Sequence, residues 1–172
     1  MLSIQGDRER IPLLNQEHFE TEPCVSPDGR WMAYQSDESG RIEIYVRTFP
    51  DMNNGRWQVS TNGGNSPLWS PNGQELYYRS GDTTMAVAVE TEPTFIPENP
   101  EVLFRGTYSS GVVNQNNTQW DISPDGKRFL IIKDTMNTGS EFKVEESEPT
   151  DPRKITIVLN WDKVLKEKVP AD

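Results

Sequence analysis

The chain is 172 residues long and carries a formal net charge of −10, enough for one domain with a real core but poorly suited to nucleic acid, whose phosphates call for a basic surface. Only 33% of its residues are hydrophobic, yet five Trp, five Tyr and six Phe are among them, which fits thin aromatic-rich β-layers and argues against a disordered chain. No apolar run approaches a membrane span, Met1 is not followed by a signal-peptide pattern, and Cys24 is the single cysteine, so no internal disulfide can form.

In chain order, Leu2–Gln5 and Arg10–Asn15 read as strands without a hairpin of their own, so residues 1–15 are expected to supply outer strands of a preceding or swapped blade. Thr21–Val25 and Arg30–Ser36 come next, joined by Ser26, Pro27, Asp28 and Gly29. Here Pro sets φ for the first turn position, Asp hydrogen-bonds its own backbone, and Gly supplies a positive φ at the exit. Arg41–Phe49 alternates Ile42, Ile44 and Val46 against Glu43, Tyr45 and Arg47, and Arg56–Thr61 closes the unit. The turn then returns 44 residues on as Ser70, Pro71, Asn72 and Gly73, between strands at Ser66–Trp69 and Glu75–Ser80. Thr84–Glu90 and Glu101–Arg105 complete that second unit. A further 53 residues on, Ser123, Pro124, Asp125 and Gly126 join Thr118–Ile122 to Arg128–Lys133. The acidic stretch within Asp134–Arg153 reads as an enlarged, solvated insertion before a third strand, Lys154–Trp161, and the fourth strand of this unit is missing. Asp162–Val169 has the composition of a short helix, followed by a tail to residue 172.

A repeat of roughly 40–50 residues with four strands is the signature of a propeller blade. The expected fold is all-β: a β-propeller segment of about three four-stranded antiparallel blades, at 17–61, 62–106 and 115–161, with a short C-terminal helix. An arc of three would leave an apolar face bare at each end. A homo-oligomer completing the ring is one expectation, and an open arc is the other.

Val25–Tyr34, Tyr45–Pro50, Gly63–Gly73 and Trp120–Leu130 together resemble the TolB-like, or WD40-like (PD40), propeller repeats of bacteria. The closing Ile155–Trp161 resembles the C-terminal end of propellers attached to bacterial serine/threonine kinases and transcription regulators. The resemblance covers nearly all of residues 10–165 and implies rings of six or seven blades, more than this sequence holds. It also implies a non-catalytic module that binds a protein, peptide or cell-envelope ligand. A ligand-sensing accessory part of a kinase or transcription regulator is the second reading, and a carboxylate-dependent glycan-active enzyme is the third. The sequence contains no kinase glycine-rich loop, no helix-turn-helix and no hydrolase nucleophile elbow.

Catalytic chemistry has few candidates. His18 is the only histidine, which rules out a site built from several imidazoles of one chain, and no metal or cofactor is expected. Cys24 lies in a strand without an activating partner. The series Asp28, Asn72 and Asp125 is explained by turn hydrogen bonding. Trp31, Trp57, Trp69 and Trp120 fall in strands, where aromatics pack. In a propeller the loops between blades, and between second and third strands, open on one end. Here those are His18–Glu22, Asp37–Arg41, Asn62–Ser66, Gly81–Thr83, Ser109–Thr118 and Asp134–Arg153. The ligand-binding candidates on that end are Glu20, Glu22, Asn65, Asn114, Asn116 and Gln119.

Overall fold

The computed structural model describes residues 12–14, 17–106, 120–133 and 154–159. Among these there is no helix, and twelve strands form three separate antiparallel sheets. The first sheet runs β1 (Glu20–Val25), β2 (Trp31–Ser36), β3 (Glu43–Thr48) and β4 (Arg56–Gln58), in that order. The second holds β5 (Asn65–Trp69), β6 (Glu75–Ser80) and β7 (Thr83–Glu90). The long strand β7 then carries two outer partners, β8 (Ile96–Pro97) beside its end and β9 (Glu101–Arg105) beside its start. The third sheet consists of β10 (Trp120–Ile122), β11 (Arg128–Lys133) and β12 (Lys154–Leu159), with β11 and β12 paired over six registers across the intervening insertion.

The three Ser-Pro-Asp/Asn-Gly segments are tight hairpin turns, each closed by a Gly N–H donating to the Ser carbonyl at 2.8–2.9 Å. Gly29, Gly73 and Gly126 have φ of 73°, 72° and 69°, which a side chain would strain. Serine does more than the sequence pattern suggests. In each turn its hydroxyl donates to the Asp or Asn two residues on. The same hydroxyl accepts the backbone N–H five residues on, at 3.0 Å for Trp31, 2.9 Å for Glu75 and 3.1 Å for Arg128.

Strand alternation sets the layering, because both faces of the inner strands β2 and β6 are used, and one face of β11. Trp31, Ala33, Ile44, Val46 and Val59 of the first sheet meet Trp69, Leu76, Tyr78, Val87 and Val89 of the second, with Phe95 completing the core. Phe95 stands between Trp31 and Trp57, at ring-centroid distances of 5.4 and 5.6 Å. Tyr77 and Leu103, on the other face of the second sheet, pack on Trp120, Phe129 and Ile131 of the third. Indole N–H groups stitch the layers: Trp69 donates to the Cys24 carbonyl and Trp120 to the Ser66 carbonyl, both at 3.0 Å. The remaining face of the first sheet gathers Met32, Tyr34, Tyr45 and Met52, with Leu13, Leu14 and Phe49 against them.

Some expectations need adjustment. Residues 12–14, the described part of the Arg10–Asn15 strand, are not in a strand, and Leu13 and Leu14 instead lie on the Met32–Tyr34 face. The fourth strand of the first blade is three residues long, Arg56–Gln58, with the Val59 N–H extending its pairing by donating to the Ile44 carbonyl. Strand β8 was not foreseen. The Asp134–Arg153 insertion and the Asp162–Val169 helix lie outside the described residues.

Candidate functional site

The hairpin turns occupy one end of the sheets, so the starts of β1 and β5 and the β2–β3 turn lie at the other. Strands β1 and β5 touch. Each enters through a bulge, and each bulge holds a non-glycine residue with positive φ four residues before the turn serine: Glu22 at 54° and Ser66 at 53°. Both precede a proline, whose ring ordinarily pushes its predecessor toward extended backbone, so the shared conformation is imposed by the surroundings. For Ser66 those surroundings are visible: its N–H donates to Gln35 Oε1 of the first sheet at 3.1 Å while its carbonyl takes the Trp120 indole.

Three of the six candidate residues are described, and all three sit at this end. Glu20 Oε1, Glu22 Oε2 and Asn65 Oδ1 are each buried without a hydrogen-bond partner. Asn114, Asn116 and Gln119 lie outside the described residues. The structure adds one that sequence reasoning passed over. Glu38, in the Asp37–Arg41 turn, has a side chain only 8% exposed, and its Oε2 accepts from Arg56, yet its Oε1 is also buried and unpartnered. The position of the turn was legible, but which of its residues folds inward was not.

Electrostatics tie two of these groups, Glu20 and Glu38, to each other. Burial pushes the Glu20 carboxyl above its usual range, and the negative charge of Glu38 adds to that, while Arg47 and His18 oppose it. Burial likewise raises the Tyr34 phenol, with Glu38 and Glu20 contributing and Arg47 opposing. Arg47 is engaged: its Nε donates to the Tyr34 phenol at 2.9 Å and its guanidinium to the Met52 carbonyl at 3.0 Å. Arg56 lies over the Tyr45 ring, 5.6 Å from its centroid.

Glu43, close by in chain position, is the opposite case. It is fully buried, but Arg41, the Ser60 hydroxyl and the Gly63 N–H (2.9 Å) all donate to it. Its negative charge and burial push the Tyr78 phenol up to about 12, burial being the larger cause. Glu43 is a satisfied structural carboxylate tying β3 to the loop that leads into β5. His18 is exposed, and burial raises the Cys24 thiol above its usual range. Among the described residues no three His, Cys, Asp or Glu side chains stand close enough to share a metal ion.

No protein-family model matches the chain, and no curated protein sequence matches it. Solved structures do. A puromycin-hydrolyzing peptidase of Mycobacterium tuberculosis aligns with a TM-score of 0.55 at 18% identity, over 70% of this chain and 19% of that one. TolB from Acinetobacter baumannii aligns at 0.50 and 16% identity, over 81% of this chain and 30% of its own. Oligogalacturonate lyase from Vibrio parahaemolyticus gives 0.48 and 14%, over 70% of this chain and 31% of that one. The chain thus spans under a third of each of these proteins. At such identities the likeness to TolB, a β-propeller protein, shows the fold alone: this chain is an all-β stack of antiparallel, propeller-like blades.

Proposed function

We propose that the chain is a non-catalytic interaction module of TolB-like propeller type, which binds a protein or peptide ligand at its loop end. The observation that carries this reading is the concentration of buried, unpartnered oxygens there, on Glu20, Glu22, Glu38 and Asn65. Buried polar atoms are normally paired, and a cluster of exceptions at one end of a rigid scaffold is where an external partner is needed. Binding is favoured over turnover by the setting of the nucleophile candidates, since burial raises the Cys24 thiol and the one imidazole is exposed.

The test is a peptide-display selection against the 172-residue chain, followed by competition between two variants. Asn65→Ala alters the loop end, and Glu98→Ala alters an exposed site near the turn end. Selected peptides are expected to lose affinity for the first and keep it for the second. Peptides that distinguish neither variant, or that fail only with Glu98→Ala, would move the binding face elsewhere.

A further inference from the structure

The loop end carries an imbalance of acceptors over donors. Glu20, Glu22, Glu38 and Asn65 each hold a buried oxygen with nothing donating to it. The cations nearby already have work: Arg47 serves Tyr34 and Met52, Arg56 serves the other oxygen of Glu38, Arg41 serves Glu43, and the buried Arg79, opposite Asn65, serves Thr84 and the Gly81 carbonyl. Glu43 shows how this fold treats a carboxylate that belongs to the structure, with three donors gathered around it. The unpaired set lacks that treatment, although the Glu38 side chain is only 8% exposed. Leaving such oxygens buried and unpaired is a standing cost to the fold unless a donor arrives.

The form of that donor follows from charge and spacing. Three of the four groups are carboxylates in a chain of net charge −10, so the field at this end selects a cation. A bare metal ion does not fit, because among the described residues no three acidic, His or Cys side chains converge closely enough to share one. A donor head on a flexible stem can reach separated acceptors. Guanidinium offers five N–H groups in a planar fork, and ammonium three.

We propose that the loop end binds its ligand through guanidinium or ammonium groups, received by Glu20, Glu22 and Glu38 with Asn65 accepting a further hydrogen bond, and that a Lys- or Arg-bearing protein segment supplies them. This rests on the reading of the loop end as a binding face and names the chemistry of its ligand. The raised carboxyl of Glu20 agrees with it, since an arriving cation would favour the charged form against the burial and the Glu38 charge that raise it.

The experiment is calorimetric titration of the chain, at physiological salt, with capped tetrapeptides of Arg, Lys, Glu or Ser, and with arginine amide as the free small cation. The Arg and Lys peptides are expected to bind, and the double variant Glu20→Gln, Glu22→Gln to weaken them by about tenfold or more. The control Glu90→Gln, Glu98→Gln removes the same two charges from exposed positions near the turn end and is expected to change affinity less than about twofold. The ligand-free Glu20→Gln, Glu22→Gln protein is expected to melt no lower than the parent, which a purely structural role for these carboxylates would not allow. Equal loss in both double variants would reduce the effect to net-charge attraction and overturn the proposal. Binding of arginine amide as tightly as the Arg peptide would overturn the protein segment as the source. Selective binding of the Ser or Glu peptide, lost in Asn65→Ala, would overturn the cation while leaving the loop-end module standing. No binding by any probe would count against both.

Discussion

At the scale of single residues, the turn serines carry more than their place in the repeat implies. Ser70 is buried, and its hydroxyl both donates to Asn72 and accepts the Glu75 N–H. Ser70→Ala leaves that N–H without a partner and is expected to cost about 1–2 kcal/mol, read as a lower urea midpoint at unchanged slope. The aspartates of the other two turns respond to pH. Burial works against the Asp28 charge, but hydrogen bonds from Ser26 and from the Arg30 side chain and backbone outweigh it and hold the carboxyl below its usual range. At Asp125 the Ser123 hydroxyl is the main cause, followed by the Lys127 N–H. A depressed carboxyl stabilises fully above its unfolded value of about 4, and that contribution is lost as pH falls through the lower folded value. The double variant Asp28→Asn, Asp125→Asn is therefore expected to show a shallower loss of stability below pH about 4 than the parent, in urea midpoints taken across acid pH. A parallel pair of profiles would show that these carboxylates do not contribute.

At the scale of elements, the hairpins were legible in the sequence because a tight turn demands particular residues at fixed places, and Pro, Asp and Gly leave a mark that recurs. The strands beside them were legible for the same reason. Strand β8 was not, since Ile96–Pro97 is two residues long and offers no alternation to read. The fate of the charged residues was equally hidden. Glu43 alternates as an outward residue in the sequence, yet Ser60 and Gly63, 17 and 20 residues on, make its burial possible. Position alone pointed to Glu20, Glu22 and Asn65, whereas their unpaired oxygens come from packing that no local pattern records. Gly64 belongs to this same hidden layer. A Cβ there would stand 2.6 Å from Ser60 Oγ and 2.9 Å from Ile44 Cγ1. Ser60 cannot retreat, because its hydroxyl is committed to Glu43 and to the Ile44 N–H. Gly64→Ala is expected to destabilise by about 1–3 kcal/mol in thermal or urea unfolding. An unchanged midpoint would mean that the β3–β5 junction is looser than its geometry indicates.

At the scale of the whole molecule, one position differs among the three described sheets. Ala33, Tyr77 and Leu130 each stand seven residues past a turn serine, on the face each sheet turns toward the next. Ala33 is 0% exposed and Tyr77 1%, because the following sheet covers them, but Leu130 is 43% exposed. Leu130 has no such cover among the described residues, and exposed Asp121 and Arg128 flank it. We propose that a second copy covers it, self-association through this face being the route toward a completed ring. Light scattering behind a sizing column is expected to show a mass that climbs with concentration toward twice that of the chain, and Leu130→Asp to hold it at one. A single-chain mass at every concentration for the parent would show that the face tolerates water.

Ser66 holds the first sheet through its N–H and the third through its carbonyl, and it adjoins Asn65. Its partner in the third sheet is an indole, whose emission responds to the hydrogen bond it makes. The protein therefore contains its own optical probe: a partner that shifts Asn65 is expected to disturb the Ser66 peptide and move the emission of Trp120, the contribution of that one indole among five being read by difference from Trp120→Phe.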